Sequence, residues 1–185
     1  PYTLKTFRTK DPQTGEIKVA RRVTLMVMTM IDPVLRLVEL EQIFEKDDET
    51  VALKLDRVWF CRYPRPERCV HDNGTEFTGS GFQELLASYG VQSVPTTVKN
   101  PQANSIVERL HQTMANMLRP LIYTKRPQNA AEAAEAIDEL LQTVAYAARI
   151  SLHTTLKMSP GAIVFNRDML LNIPIKADFE LLRRR

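Results

Sequence analysis

Cysteine is nearly absent from these 185 residues: Cys61 and Cys69 are the two present. That excludes a disulfide scaffold and makes a reduced compartment the expectation. With His71 they make three possible ligands and lack a fourth, so no zinc site is expected there. No apolar run approaches the roughly 18 residues that a membrane-spanning helix needs. No charged start followed by an apolar stretch marks a signal peptide, and internal repeats are lacking. The first residue is Pro1 rather than methionine, and a fragment or processed piece of a longer protein is the expectation. An excess of one charge is lacking too. The formal net charge is +3 and the isoelectric point about 9.0, a mild lean towards polyanions that is no nucleic-acid signature in itself. What remains is a globular composition, 44% hydrophobic and 25% charged, long enough for one domain with a real core.

Residues 2–8 alternate enough to predict a strand, and Asp11-Pro12-Gln13-Thr14-Gly15 a turn. A second strand is predicted over 17–31, rich in Val, Ile, Thr and Met. Asp32-Pro33 interrupts it, and residues 35–42 (LRLVELEQ) resume with period two. Asp47, Asp48 and Glu49 supply the negative charge that a helix start favours. Val51, Leu55, Val58 and Trp59 follow at helical spacing, and this helix must end before Pro64-Arg65-Pro66. A short strand over 68–71 leads into Asp72-Asn73-Gly74. A helix over 81–89 closes on Gly90, and 91–95 reads as a further strand. Residues 98–104 (VKNPQAN) are predicted to be an exposed, mobile loop. A long amphipathic helix starts near Ser105, carries Ile106, Leu110, Met114 and Met117 on one side, and stops or kinks at Pro120. Alanine-rich residues 129–150 predict another helix, and Ser159-Pro160 begins a short one. The order is three strands, helix, strand, helix, strand, then helices. It predicts an α/β domain with a five-stranded mixed sheet flanked by helices, the order of a ribonuclease H-like fold. The core is expected over 1–168, with 169–185, ending in Arg183–Arg185, as an extension or linker.

Two carboxylates stand out by position. Asp72 follows a short apolar strand and opens a tight Asn-Gly turn. Glu108 lies in the first turn of a predicted helix, with 35 residues between the two. A carboxylate at a strand end and another on a helix can converge on hard divalent cations, which take oxygen ligands. Two such ions about 3.5–4 Å apart suit in-line phosphoryl transfer. Both residues also have ordinary readings. Asp-Asn-Gly is a common turn, and Ser105-Ile106-Val107-Glu108 matches a capping box, in which the glutamate reaches back to the Ser105 amide. Spacing alone leaves both readings open.

The stretch 71–114, HDNGTEFTGSGFQELLASYGVQSVPTTVKNPQANSIVERLHQTM, resembles the second half of the catalytic core of retroviral and LTR-retrotransposon integrases. Asn73, Gly74 and Phe77 after the aspartate, Asn100-Pro101-Gln102 in the loop and Asn104 before the helix fit the pattern. Glu108-Arg109-Leu110-His111 is most similar to the LTR-retrotransposon branch. Trp59 with Tyr63-Pro64, and His153-Thr154-Thr155 with Ser159-Pro160, extend the resemblance along the chain. The resemblance implies DNA integration: trimming of a 3′ end and strand transfer of element DNA into target DNA by a polynucleotidyl transferase cut from a polyprotein. It implies Asp72 and Glu108 as catalytic metal ligands and two Mg²⁺ or Mn²⁺ ions in the complete site. It also implies DNA and a homo-oligomer as partners, no membrane, and a nuclear site of action after a cytoplasmic particle. Candidate DNA contacts are Lys99, Asn100, Gln102 and Asn104 in the loop, and Arg109, His111, Gln112 and Arg119 on the helix; a solvated face is the ordinary alternative. The apolar and alanine-rich faces of 47–60 and 129–150 are candidate oligomer interfaces.

The sequence departs from the family at the first catalytic aspartate, which is expected upstream of residue 1, so that these residues alone are expected to be inactive. Asp32 is the one substitute, and before Pro33 it reads as a turn former. Glu76, four residues past Asp72, reads as an exposed turn residue. Asn166 stands where glycine is expected, and asparagine tolerates positive φ. The alternatives are a related transposase or nuclease, or a degenerate integrase-like module that binds nucleic acid or dimerises.

Overall fold

In the computed structural model, which describes residues 2–4, 7–10, 13–14, 17–20, 23–96, 110–113, 115–116 and 130–170, the chain begins with a long hairpin. Its strands are β1 (Tyr2–Leu4), β2 (Phe7–Lys10), β3 (Ile17–Ala20) and β4 (Val23–Ile31). The numbers of paired residues add to 27 in both ladders, from Tyr2↔Leu25 to Lys10↔Ile17. One register therefore runs through both, with Gln13 and Thr14 turning at its tip. The chain then reverses on Asp32, whose Oδ1 accepts from the amides of Val34 at 2.7 Å and Leu35 at 2.8 Å. Arg36 takes a positive φ of 60°, and β5 (Val38–Ile43) returns antiparallel to β4, from Ile31↔Val38 to Met26↔Ile43. Asp32 is thus spent on the turn.

Period-two alternation along β4 and β5 fixes two layers. Met28, Met30 and Ile43 face a core with Val51, Leu55, Val58, Trp59, Phe60, Phe82 and Leu86. Val38 and Leu40 face the opposite way, into a cluster with Ile137, Leu140, Leu141, Val144 and Ala145. Helix α1 (Asp48–Leu55) and the π-helical turn Asp56–Phe60 that continues it supply the first layer. Helix α2 (Thr75–Thr78) and helix α3 (Ser80–Ser88) join that layer, and helix α4 (Ala130–Ile150) covers the other. The short helix α5 (Pro160–Phe165) closes the described chain, with Ser159 as its N-cap accepting from Ala162 and Asn166 left-handed at φ 53°. Ile137, Leu140, Leu141, Val144 and Ala145 of α4 pack against β5, while Ala131 stays exposed. Val51, Ala52 and Leu55 of α1 are buried in the first layer, while Leu53 stays 48% exposed.

The helix starts follow local chemistry. Asp47 is the N-cap of α1, its Oδ1 accepting from the Thr50 amide at 2.7 Å, and those hydrogen bonds hold its carboxyl below the usual range. Asp48 does more than its place in the sequence suggests: its Oδ2 accepts from the Gly81 amide at 2.8 Å, so α1 also caps the first turn of α3. Helix α3 ends at Gly90, whose φ of +69° suits glycine.

β6 (Arg68–His71) and β7 (Gln92–Pro95) pair in parallel, Arg68↔Gln92 to His71↔Pro95. The architecture is mixed α/β, as expected, but the described strands form three ladders, β1-β4-β5, β2-β3 and β6-β7, rather than a single five-stranded sheet. Among the described residues β4 is paired on both edges, by β1 and β5, and β6 pairs with β7. No helix of the described residues is long and apolar enough to cross a membrane.

Candidate active site

Asp72 sits just past the C-terminal end of β6, exposed to solvent. Its Oδ1 accepts from the Gly74 amide at 2.9 Å, an Asx turn that fixes the carboxylate's direction. The residues around it are held tightly. The Thr96 amide donates to the His71 carbonyl at 2.7 Å, and Asn73 Nδ2 donates to the Thr96 carbonyl at 3.2 Å. The Asp-Asn-Gly turn is thereby tied to the end of β7. Behind it, His71 is buried at 8% exposure. Its ring stacks on Phe77 with centroids 5.5 Å apart and meets Phe82 edge-on at 5.5 Å. Its Nδ1 lies 2.7 Å from the Asp72 carbonyl and its Nε2 2.8 Å from Ser93 Oγ.

Glu76 corrects the expectation of an exposed turn residue. It is 6% exposed, because α2 turns it inward beneath the Asp72 loop. Its Oε1 is 2.9 Å from Lys46 Nζ, and its Oε2 is buried without a hydrogen-bond partner. Gly74 explains itself here: a Cβ at that position would lie 2.5 Å from Glu76 Oε2. The Lys46 ammonium is held above its ordinary range, first by the hydrogen bond and charge of Glu76 and more weakly by the charge of Asp72. Period and spacing gave no sign of this pair, since Lys46 and Glu76 meet only through the packing of α2 beside α1.

On the opposite layer, residues 110–113 are helical. Leu110 packs against the cluster of β5 and α4, and His111 Nε2 lies 3.1 Å from Thr29 Oγ1 on β4. A candidate DNA contact, His111 thus also ties its helix to the sheet. Gln112 is exposed and donates to Asn116 Oδ1 at 3.3 Å. Glu108, Lys99, Asn100, Gln102, Asn104, Arg109 and Arg119 lie outside the described residues, as does the loop 98–104. Among the described residues no three His, Cys, Asp or Glu side chains gather as metal ligands. Partial burial pushes the half-buried Cys69 thiol up to about 11, so it stays protonated near neutral pH.

Asp72 itself suits a hard cation. Its carboxylate is exposed, and the one N–H bond described, from Gly74, falls on Oδ1, leaving Oδ2 for a ligand.

No family model matches the chain. It is 37% identical over 57 residues to a Gag-Pro-Pol polyprotein of squirrel monkey retrovirus, covering 31% of this chain and 3% of that protein. It is 28% identical over 81 residues to the retrovirus-related Pol polyprotein from transposon TNT 1-94 of Nicotiana tabacum, 44% of this chain and 6% of that one. The transposase of insertion sequence element IS904 from Lactococcus lactis is 32% identical over 82 residues, 44% of this chain and 31% of the transposase. The matched stretches therefore span less than a third of these relatives' own length. Among solved structures, the catalytic core domain of BIV integrase superposes with a TM-score of 0.62 at 20% identity, over 76% of this chain and 86% of that one. A chain of the simian T-cell lymphotropic virus intasome in complex with PP2A regulatory subunit B56 gamma superposes with a TM-score of 0.66 at 14% identity, over 95% and 55%. The fold is that of integrase catalytic cores, ribonuclease H-like, and the sequence resembles retroviral and retrotransposon Pol proteins and a bacterial transposase.

Proposed function

We propose that the chain is the catalytic core of an LTR-element integrase, a polynucleotidyl transferase that trims a 3′ end of element DNA and joins it to target DNA. One observation carries the proposal: Asp72 stands exposed at the end of a parallel strand, its carboxylate aimed by its own turn, within the stretch 71–114 that resembles integrases. Asp72 and Glu108 would hold Mg²⁺ or Mn²⁺. A bound pair of such ions supplies an activated attacking oxygen and a stabilised leaving oxygen. The chain's own part is positional. β6 and β7 fix the Asp72 backbone, and the Thr29–His111 bond holds the helical residues 110–113 against β4. Loop residues Lys99, Asn100, Gln102 and Asn104, with Arg109, His111, Gln112 and Arg119, would contact DNA.

In finer detail, β1 is the strand that β6 joins, giving the order β5-β4-β1-β6-β7 in one five-stranded mixed sheet. The core extends over 1–168, and 169–185 is a linker. The protein works in the nucleus as a homo-oligomer, after a stay in a cytoplasmic particle. No aspartate within residues 1–185 matches the family's first, so these residues alone hold two of three carboxylates and do not join DNA. The likeness to a bacterial transposase favours a second reading, a transposase acting on other DNA ends with the same ions; a non-catalytic, integrase-like binding or dimerising module is the third.

The test is Mg²⁺-dependent joining of element-end oligonucleotides by a chain carrying the upstream sequence of its gene. Joining is expected, and Asp72→Asn should abolish it while DNA binding persists. A chain that binds DNA and joins none, with any divalent ion, overturns the catalytic reading in favour of the binding module.

A further inference from the structure

Glu76 and Lys46 have no place in the catalytic scheme above, yet their arrangement is costly. Glu76 brings a carboxylate to 7% side-chain exposure, and Lys46 meets it from a side chain 55% exposed. A half-exposed ion pair contributes little to stability. The second carboxylate oxygen is buried without a donor, which is unfavourable. Stability therefore does not account for the pair. Its position does: Lys46 precedes the N-cap of α1, Glu76 lies beneath the Asp72 loop, and both meet at the Asp72 side of the candidate site. Glu76 Oε1 engages one of the three ammonium N–H donors, and the half-exposed side chain can turn the others to solvent.

We propose that Lys46 and Glu76 act as one unit of the substrate site, with buried Glu76 holding the Lys46 ammonium beside Asp72 so that it contacts a backbone phosphate of bound DNA. Lys46 is the substrate-contacting residue and Glu76 its positioning residue. The unit answers a physical need. An exposed lysine stem is free to turn in many directions, and a buried, chain-anchored carboxylate narrows that freedom before DNA arrives. The charge of Asp72 favours the ammonium there as well. The inference rests on the DNA-integration reading, because it requires DNA at this face.

The experiment is fluorescence anisotropy of a short mixed-sequence DNA duplex with the chain of residues 1–185, titrated over a range of salt concentrations. Lys46→Ala should weaken binding about 5–10-fold near 0.1 M salt and lower the slope of log K against log salt by about 0.9, the signature of one lost phosphate contact. Lys46→Arg should restore the slope. Glu76→Gln makes the chain more positive, and simple charge attraction would then tighten binding. The proposal expects weaker binding, because the ammonium loses its anchor. An unchanged slope in Lys46→Ala overturns the inference and leaves the integration reading standing, as does Glu76→Gln binding as tightly as the parent or more so. If Lys46→Ala lowers the melting temperature and leaves the slope alone, the pair is structural. If the parent chain fails to bind duplex DNA even at low salt, the integration reading falls and the inference falls with it.

Discussion

Ser93 Oγ and His71 Nε2 lie 2.8 Å apart across the parallel pair β6–β7, and the relation assigns the proton on the ring. Nδ1 faces the Asp72 carbonyl at 2.7 Å. A carbonyl only accepts, so Nδ1 carries the hydrogen. In the neutral ring Nε2 then accepts, and the Ser93 hydroxyl donates to it. The imidazole, packed between Phe77 and Phe82, thus holds the backbone of the candidate catalytic aspartate from behind, as outer groups orient metal-binding residues elsewhere.

His71→Phe should keep the ring packing and lose both hydrogen bonds, leaving the Asp72 carbonyl and the Ser93 hydroxyl without their ring partner. A loss of about 1–3 kcal/mol is expected, with Ser93→Ala costing about 1 kcal/mol, both read from urea unfolding. A His71→Phe variant as stable as the parent would remove the imidazole from this supporting role.

Gly74 has φ −60° and ψ 146°, a conformation open to any residue, so its need for glycine is steric rather than backbone strain. A Cβ would lie 2.5 Å from Glu76 Oε2. Gly74→Ala is expected to destabilise by about 1–3 kcal/mol, and the penalty should shrink in the Glu76→Ala background. A coupling of at least about 0.5 kcal/mol in the double-mutant cycle is expected. Strict additivity would mean that the glutamate does not fill this space.

The sequence carries β6 to the residue, the acidic helix start at Asp47, the N-cap role of Ser159, the left-handed Asn166 and the turn at Asp32, because each follows from chemistry within a few positions. It carries Asp72 as a candidate through its motif. It does not carry the burial of Glu76: a glutamate four residues past an aspartate in a polar turn gives no apolar period to read, and only the inward turn of α2 buries it. Which strands pair was equally out of reach: the parallel partnership of β6 with β7 joins segments more than twenty residues apart, and local period does not choose partners at that distance.

Glu39, 2% exposed on β5, is satisfied by Arg149 Nη1 at 2.7 Å and by the Tyr63 hydroxyl. Burial, followed by the hydrogen bond to Glu39 and then its charge, pushes that hydroxyl's pKa up. Arg149→Met should cost about 3–5 kcal/mol, since it strands a buried carboxylate. Adding Glu39→Gln should restore most of that loss. The comparison is made by urea unfolding, and a double variant no more stable than the single one would show that the charge is not what the arginine compensates.

His153 couples stability to pH. Its Nδ1 is buried without a partner, and its pKa is lowered from 6.5 by burial first and by the charge of Arg36 second. The folded state thus favours the neutral ring. Below the unfolded value of 6.5 the unfolded chain binds the proton more readily, so stability falls as pH drops through that value and levels off below the folded one. His153→Gln removes this group. The melting temperature of the parent relative to His153→Gln should therefore decline between about pH 8 and about pH 5. A difference that stays flat, or grows, assigns the acid sensitivity to other groups.

Glu108 carries two readings that one substitution separates. As N3 of a capping box begun by Ser105, its job is a hydrogen bond to a backbone amide, which glutamine performs as well. As a metal ligand, its job is negative charge towards a hard cation, which a neutral amide does not supply. In a chain carrying the upstream sequence of its gene, Glu108→Gln is expected to abolish Mg²⁺-dependent strand transfer. Its melting temperature without metal should change little, or rise, because carboxylates meant to share a cation repel one another in its absence. Both quantities are measured on the same protein, so a loss of folding cannot pass for a loss of chemistry. Retained strand transfer with a lowered melting temperature would reverse the assignment, leaving Glu108 as a helix cap and Asp72 in need of another partner.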